Sequence, residues 1–149
     1  MMVPVETLRS LACLAGVPAE SLKAIAVIAE ERDFKAGEAL WHEGDPVHWM
    51  CVVRQGEIDV IYQLQSGRQC VVDTVVGGEI TGWSAFVEPY RHTATCIARA
   101  AGRALYLDAA AMRGLCEKDH LLGYRLLMQV ARTLSSRLES ARLQLAATG

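Results

Sequence analysis

The sequence predicts a mainly β domain flanked by helices, and three observations carry that prediction. Between residues 33 and 107 the apolar residues come in short pieces of about five, separated by Gly- or Ser-containing turns every ~8 to 12 residues. Inside those pieces the apolar positions alternate, as at Met50 and Val52 and again at Val60 and Tyr62, the pattern of half-buried antiparallel strands. On both sides the apolar spacing changes to three or four residues, the period of a helix. A sandwich, a barrel or a jelly roll would each satisfy the central pattern. At 149 residues and 16.3 kDa, one domain spanning 1–149 is expected, with a β core at about 33–108 and C-terminal helices at about 109–146.

In order, residues 5–31 carry a helical period: Leu8, Leu11 and Leu14 form one stripe, and Pro18 opens a second helix carrying Leu22, Ile25, Ala26 and Ile28. Strand pieces follow at 33–35, 39–41, 49–54, 58–63 and 70–76, with turns at Gly37, Gly44-Asp45, Gly56 and Ser66-Gly67. Residues 93–98 and 104–107 read as closing strands, 109–118 as a short helix and 120–146 as a long one. On the long helix Leu127, Val130, Leu134, Leu138, Ala141 and Leu145 recur every three or four residues, close to a coiled-coil seam over about three heptads. That seam either pairs with another chain or lies on the β domain. Pairing is the favoured reading, because a helix rising ~1.5 Å per residue over this length outruns a small domain.

Composition excludes several classes. With 52% hydrophobic and 21% charged residues the chain is too apolar to be disordered. A net charge of -2 offers no basic field for nucleic acid or an anionic membrane. Five well-spread cysteines without a C-x-x-C pair read as buried reduced thiols, not a disulfide framework or zinc site. Neither a signal peptide nor an apolar run of the ~18 residues that cross a bilayer is visible, so a cytoplasmic location is expected.

The candidate site lies in the stretch 77–98, GGEITGWSAFVEPYRHTATCIA. Glycines that allow close backbone approach, a short apolar segment with unpaired N–H groups at its start, and the basic pair Arg91 and His92 suit an anion.

Taken with FKAGEALWHEGDPVHWMCVVRQGEIDV upstream and ALYLDAAAMRGL downstream, this stretch resembles the cyclic nucleotide-binding domain of the catabolite activator protein family, the Crp/Fnr regulators. Gly37-Glu38, Glu43-Gly44-Asp45, Gly56, and Gly82 with Thr93-Ala94 carry the resemblance, which covers nearly the whole chain. It implies a double-stranded β-helix, or jelly-roll, barrel with N-terminal helices. A phosphate-binding cassette between two strands and dimerisation through the long C-terminal helix are implied as well. The residues of that cassette here are Gly82, Trp83, Ser84, Ala85, Arg91, His92 and Thr93, and the ligand implied is a cyclic nucleotide or another small anion.

Two departures matter. In the family the cassette Gly precedes a Glu that accepts from the ribose hydroxyl; here Gly82 precedes Trp83, whose indole only donates. An unpaired ribose hydroxyl would cost about 1 to 3 kcal/mol. Trp83 stacks on a planar ligand, plugs the pocket, or is an ordinary core aromatic. The family's phosphate-binding Arg stands directly before the Ser/Thr-Ala pair, where this chain has His92, with Arg91 one residue early and, in a regular strand, on the opposite face. If His92 makes the contact, binding should strengthen as pH falls through ~6.5. Thr93 and Thr95 serve as hydroxyl donors or as strand-packing residues. The sequence ends at Gly149 without the family's helix-turn-helix, so direct DNA recognition is not expected.

The expected function is a regulatory sensing module, cyclic nucleotide-binding-like, that signals through dimer and helix rearrangement to an unidentified protein partner. The alternative is a ligand-free dimeric interaction module with an occluded pocket. An enzyme is not expected: His42, His48, His92 and His120 lack the His-x-His spacing of a cupin-type metal site, and no nucleophile-base arrangement stands out. A haem or redox role through Cys51, Cys70 or Cys96 is the further reading, with buried thiols favoured over it.

Overall fold

Two long antiparallel strands run the length of the β domain, and everything else is hung on them. The structure, a computed structural model, describes residues 3–148. Helix α1 (Val5–Arg9), a 3-10 turn (Ala12–Leu14) and α2 (Ala19–Ile28) lead into β1 (Ala29–Phe34) and β2 (Ala39–Trp41). Strands β3 (Trp49–Gln63), β4 (Gln69–Val75) and β5 (Ile80–Thr81) follow, then a second 3-10 turn (Trp83–Phe86) and β6 (Thr95–Asp108). Helices α3 (Ala109–Lys118) and α4 (His120–Thr148) close the chain. The six strands form one antiparallel sheet in the order β1-β6-β3-β4, with β2 on β6 and β5 on β3, curled as a jelly roll of the cyclic nucleotide-binding type.

The roll is fixed by parity. In the first half of β3, Met50 and Val52 enter a core shared with the helices, while Cys51 and Val53 face the roll interior. In its second half Ile58 and Val60 face that interior, so odd numbers have given way to even ones. Between Val53 and Ile58 β3 advances five residues while β6, from Ala104 to Ala98, advances six, so the register shifts by one. On β6 the even positions Cys96, Ala98, Ala104 and Tyr106 face the interior throughout. The ladder between the strands accordingly slips between Val53 and Ile58. Gly56 sits in that bulge at φ +93°, and a Cβ on Gly102 opposite would lie 2.0 Å from the Gln55 carbonyl oxygen. Neither position admits a side chain.

Several sequence expectations change here. The pieces 49–54 and 58–63 are one strand, because Gly56 makes a bulge and not a turn; 93–98 and 104–107 likewise fuse into β6. The helical period expected to residue 31 stops at Ile28, and the strand expected at 33–35 begins at Ala29, since Ala29 to Phe34 pair with the far end of β6, Leu107 to Gly102. Leu8, Leu11 and Leu14 are all buried, yet only Leu8 is on α1; Leu14 belongs to the 3-10 turn. Of the cysteines, Cys13, Cys51 and Cys96 are buried, whereas Cys116 is half-buried and Cys70 is exposed on the uncovered face of β4.

Helix α4 has 29 residues, about 43 Å at ~1.5 Å per residue. Its domain-facing line is Leu122, Leu126, Val130, Thr133 and Arg137, the first three buried and the last two half-buried. The seam read from the sequence lies largely off that line. Val130 is shared, but Leu127, Leu134, Leu138 and Leu145 are 37–72% exposed. Asp119 starts the helix by accepting from the Leu122 N–H (3.1 Å), and Ser21 of α2 donates to its other oxygen.

Replacing Gly102 with Ala should therefore destabilise the chain by about 2 kcal/mol or more in urea unfolding, because the new methyl collides with backbone. Gly114→Ala in α3, where a Cβ meets nothing within 4 Å, should stabilise by about 0.5 to 1 kcal/mol. Equal effects at the two positions would contradict the bulge argument.

Candidate functional site

The cassette begins at Gly82, which caps the 3-10 turn in the left-handed region at φ +85°. Its missing side chain is explained by neighbours within the chain. A Cβ there would lie 3.0 Å from Met50 Cα and the Trp49 carbonyl oxygen and 3.3 Å from the Trp41 ring. Ser84 and Ala85 are buried, Trp83 is half-buried, and the Ala85 carbonyl accepts from Arg113 Nη1 of α3 at 2.7 Å. The turn is thereby tied to the helix that precedes α4.

Arg91 and His92 point to opposite sides of a loop segment just before β6. The backbone here is pinned to the 44–46 loop: Gly44 N–H donates to the His92 carbonyl (2.8 Å), and His92 N–H to the Asp45 carbonyl (2.9 Å). Arg91 is exposed, and its Nη1 donates to the Gly44 carbonyl at 2.9 Å, outside the cassette. His92 points inward and is 5% exposed. Its ring stacks on Trp41 with centroids 4.2 Å apart and an interplanar angle of 6°.

Burial pushes the His92 pKa from its ordinary 6.5 down to about 4, outweighing the attraction of Asp45. A charge gained near pH 6.5 is thus not available to this ring. The expectation that binding through His92 strengthens across that range does not fit this environment.

The cavity that remains measures about 20 Å³, room for roughly one water, whereas small-molecule sites run to ~300 Å³ or more. Gly82, Trp83, Ser84, His92 and Thr93 line it together. Ala85 and Arg91 do not. Trp41, Val60, Thr81, Ala94, Cys96 and Arg137 complete the wall; from sequence Cys96 stands only as a redox or haem thiol, and Trp41, Thr81 and Arg137 are not singled out. Arg137 is the one charged side chain in that lining, His92 being neutral near pH 7. It comes from α4, with its side chain 19% exposed; Nε donates to Asp73 Oδ2 of β4 at 2.7 Å, and Nη2 is buried without a hydrogen-bond partner. A signal existed: Arg137 continues the line Leu122, Leu126, Val130, Thr133 at helical spacing.

Larger openings lie outside the cassette cavity. A cleft of about 470 Å³ between the cassette turn and the α3–α4 junction is lined by Phe86, Arg113, Tyr124 and Leu127 among others, but by none of the expected cassette residues. Among the described residues no group of three His, Cys, Asp or Glu side chains is placed to hold a metal. Burial raises the pKa of the Cys51 and Cys96 thiols, which disfavours the thiolate that redox or metal chemistry uses. No described helix is long and apolar enough to cross a membrane.

Fold and cassette together define a cyclic nucleotide-binding domain, and a family model of that description matches residues 31–119, more than half of the chain. The chain belongs to this family. It is similar to a structure from Geobacter metallireducens GS-15 assigned to the cyclic nucleotide-binding proteins, at 29% identity and a TM-score of 0.82 over 92% of this chain and 99% of that one. The N-terminal domain of a transcriptional regulator from Streptomyces coelicolor A3(2) is 25% identical with a TM-score of 0.69, covering 93% and 95%. A regulatory subunit of a cAMP-independent protein kinase A from Trypanosoma brucei shares the fold at 16% identity, with a TM-score of 0.77 over 95% of this chain and 50% of that one. No curated protein sequence gives a match.

The His92 environment predicts a pH effect. Below about pH 6.5 the unfolded chain takes up a proton that the folded chain resists until about pH 4, so the His92 contribution is full above 6.5 and is lost as pH falls toward 4. At ~1.4 kcal/mol per pH unit the loss should reach roughly 2 to 3 kcal/mol. His92→Phe, which keeps a ring against Trp41, should flatten the urea-unfolding stability profile in that window. Parallel profiles for the two proteins would show that His92 is not held neutral.

Proposed function

We propose that this single-domain chain, 1–149, is a non-enzymatic regulatory module whose cassette is closed by its own side chains, and that it acts through α4 as a cytoplasmic homodimer. The observation carrying this reading is the ~20 Å³ left in the cassette, where Trp41, His92 and Arg137 take up space. The family's two polar anchors are lacking in the same place. Trp83 stands where a ribose acceptor would, and Arg91 is turned to the Gly44 carbonyl. A regulatory subunit of a protein kinase A described as cAMP-independent shares this fold, which is consistent with a reading without cyclic AMP.

Dimerisation is supported by the second face of α4. Leu134, Leu138 and Leu145 are exposed along one stripe, with Leu127 at its start lining the cleft against α3, and exposed leucines in such a line are costly for a solvated helix unless a like stripe covers them. A protein partner would then read the orientation of the paired helices.

A second reading, ligand sensing, is favoured by the unsatisfied Arg137 Nη2. In it the closed pocket is one of two states, and a small anionic ligand selects the other.

Isothermal titration calorimetry with cyclic AMP and cyclic GMP should give no binding heat up to millimolar concentration. Micromolar binding of either would sink the closed-pocket reading. In sedimentation equilibrium the chain should be a dimer, and Leu134→Glu with Leu138→Glu should convert it to monomer with the β domain still folded. A wild-type monomer would remove the role assigned to α4.

A further inference from the structure

Three features place Arg137 apart from the other cations of the chain. It is the charged group of the cassette lining, although it arrives from α4 and not from a strand. Only Nε is matched, to Asp73, while Nη2 is buried and unpaired, an arrangement that costs about 1 to 3 kcal/mol or more for a charged donor. Finally, it is the last point at which α4 is held: from Leu138 to Thr148 every described residue is exposed.

A guanidinium is built to bind two oxygens of one oxyanion side by side. Asp73 uses one edge of it and is itself committed elsewhere, since its Oδ1 accepts from the Thr74 N–H at 2.9 Å. The Asp73 side chain is 38% exposed, so water can replace Arg137 at modest cost. Around the cavity, Thr81, Ser84 and Thr93 offer hydroxyl donors, and no carboxylate is in the lining. A cavity with a cation, three hydroxyls and no acid is arranged for a negative charge.

We propose that Arg137 is the anion-binding residue of this pocket and that Asp73 is the resident counter-ion a ligand displaces. The ligand class is a small oxyanion or a molecule presenting one, such as a phosphoryl or carboxylate group. On entry it takes the guanidinium fork, satisfies Nη2 and releases Asp73. Because Arg137 is the final tether of α4, exchange of its partner shifts the distal half of the helix, and with it the surface that pairs or signals. This inference rests on the second reading above, in which the closed pocket is one of two states, and on the output role of α4, and it names what opens the pocket.

The test uses the full chain with inorganic phosphate as probe, followed by tryptophan fluorescence, since Trp41 and Trp83 line the cavity. Asp73→Asn keeps an oxygen for Nε but removes the competing charge, so phosphate affinity should rise about tenfold. Arg137→Gln should lower it at least about tenfold, and the double variant should behave like Arg137→Gln alone. Amide hydrogen exchange in residues 138–148 should change on phosphate addition to Asp73→Asn and stay unchanged in the double variant. Unaltered affinity in Asp73→Asn, retained affinity in Arg137→Gln, or no phosphate response in any variant overturns the proposal. If Arg137→Gln does not fold, Asp73→Asn alone decides, as its fold needs no new contact. Were these experiments to fail while the chain stayed dimeric and blind to cyclic AMP, only the Arg137 assignment would fall; micromolar cyclic AMP binding would instead remove the reading beneath it.

Discussion

The bulge at Gly56 against Gly102 is the constraint on which the rest of the molecule depends. It changes the parity of β3 by one residue, so that Cys51 and Val53 before it and Ile58 and Val60 after it all face the roll interior. Without that change one half of β3 would turn its apolar side chains to solvent. With it, Met50 and Val52 are left free to join Leu105 and Leu107 in the second core, the one that seats α2, α3 and the first turns of α4. The glycine pair is therefore a statement about both cores at once.

The cassette shows how a ligand site can keep its frame and lose its vacancy. Gly82 still adopts a positive φ and the turn after it is still in place, but the close approach it permits is to Met50, Trp49 and Trp41. Trp41 and the neutral His92 stacked on it occupy space, and the cation that remains is supplied by a helix. Holding charge on α4 has a mechanical consequence. A strand arginine would report ligand only to the roll, whereas Arg137 is part of the element whose exposed leucines form the candidate output surface.

Much of this was legible in the sequence, for reasons that can be named. Alternation at Met50/Val52 and Val60/Tyr62 gave the sheet, and turn residues such as Gly37, Gly44 and Gly67 fell where φ is positive. The sequence leaves open which of Arg91 and His92 faces inward, because the pair lies in the loop before β6, where parity does not apply. What sequence could not distinguish was a glycine in a turn from a glycine in a bulge, because both need positive φ; hence β3 read as two strands at Gly56, and β6 as two across its mostly exposed middle, 99–103. Ala29 was drawn into a strand by pairing with Leu107, a long-range contact that local period does not encode. Trp83 attracted attention as a plug, while Trp41, remote in sequence, forms the stack. Arg137 is absent from the apolar seam read along the long helix and is found only on the domain-facing line of α4.

The claim at the centre is that the folded chain fills its own pocket and pairs through α4. Native mass spectrometry of the protein as purified, without added nucleotide and under conditions that preserve non-covalent ligands, tests both halves together. The expected spectrum is a dimer whose mass equals two chains. A dimer carrying the added mass of one nucleotide per chain, lost on unfolding, would mean that the pocket opens readily and that Trp41, His92 and Arg137 are displaced in the working state.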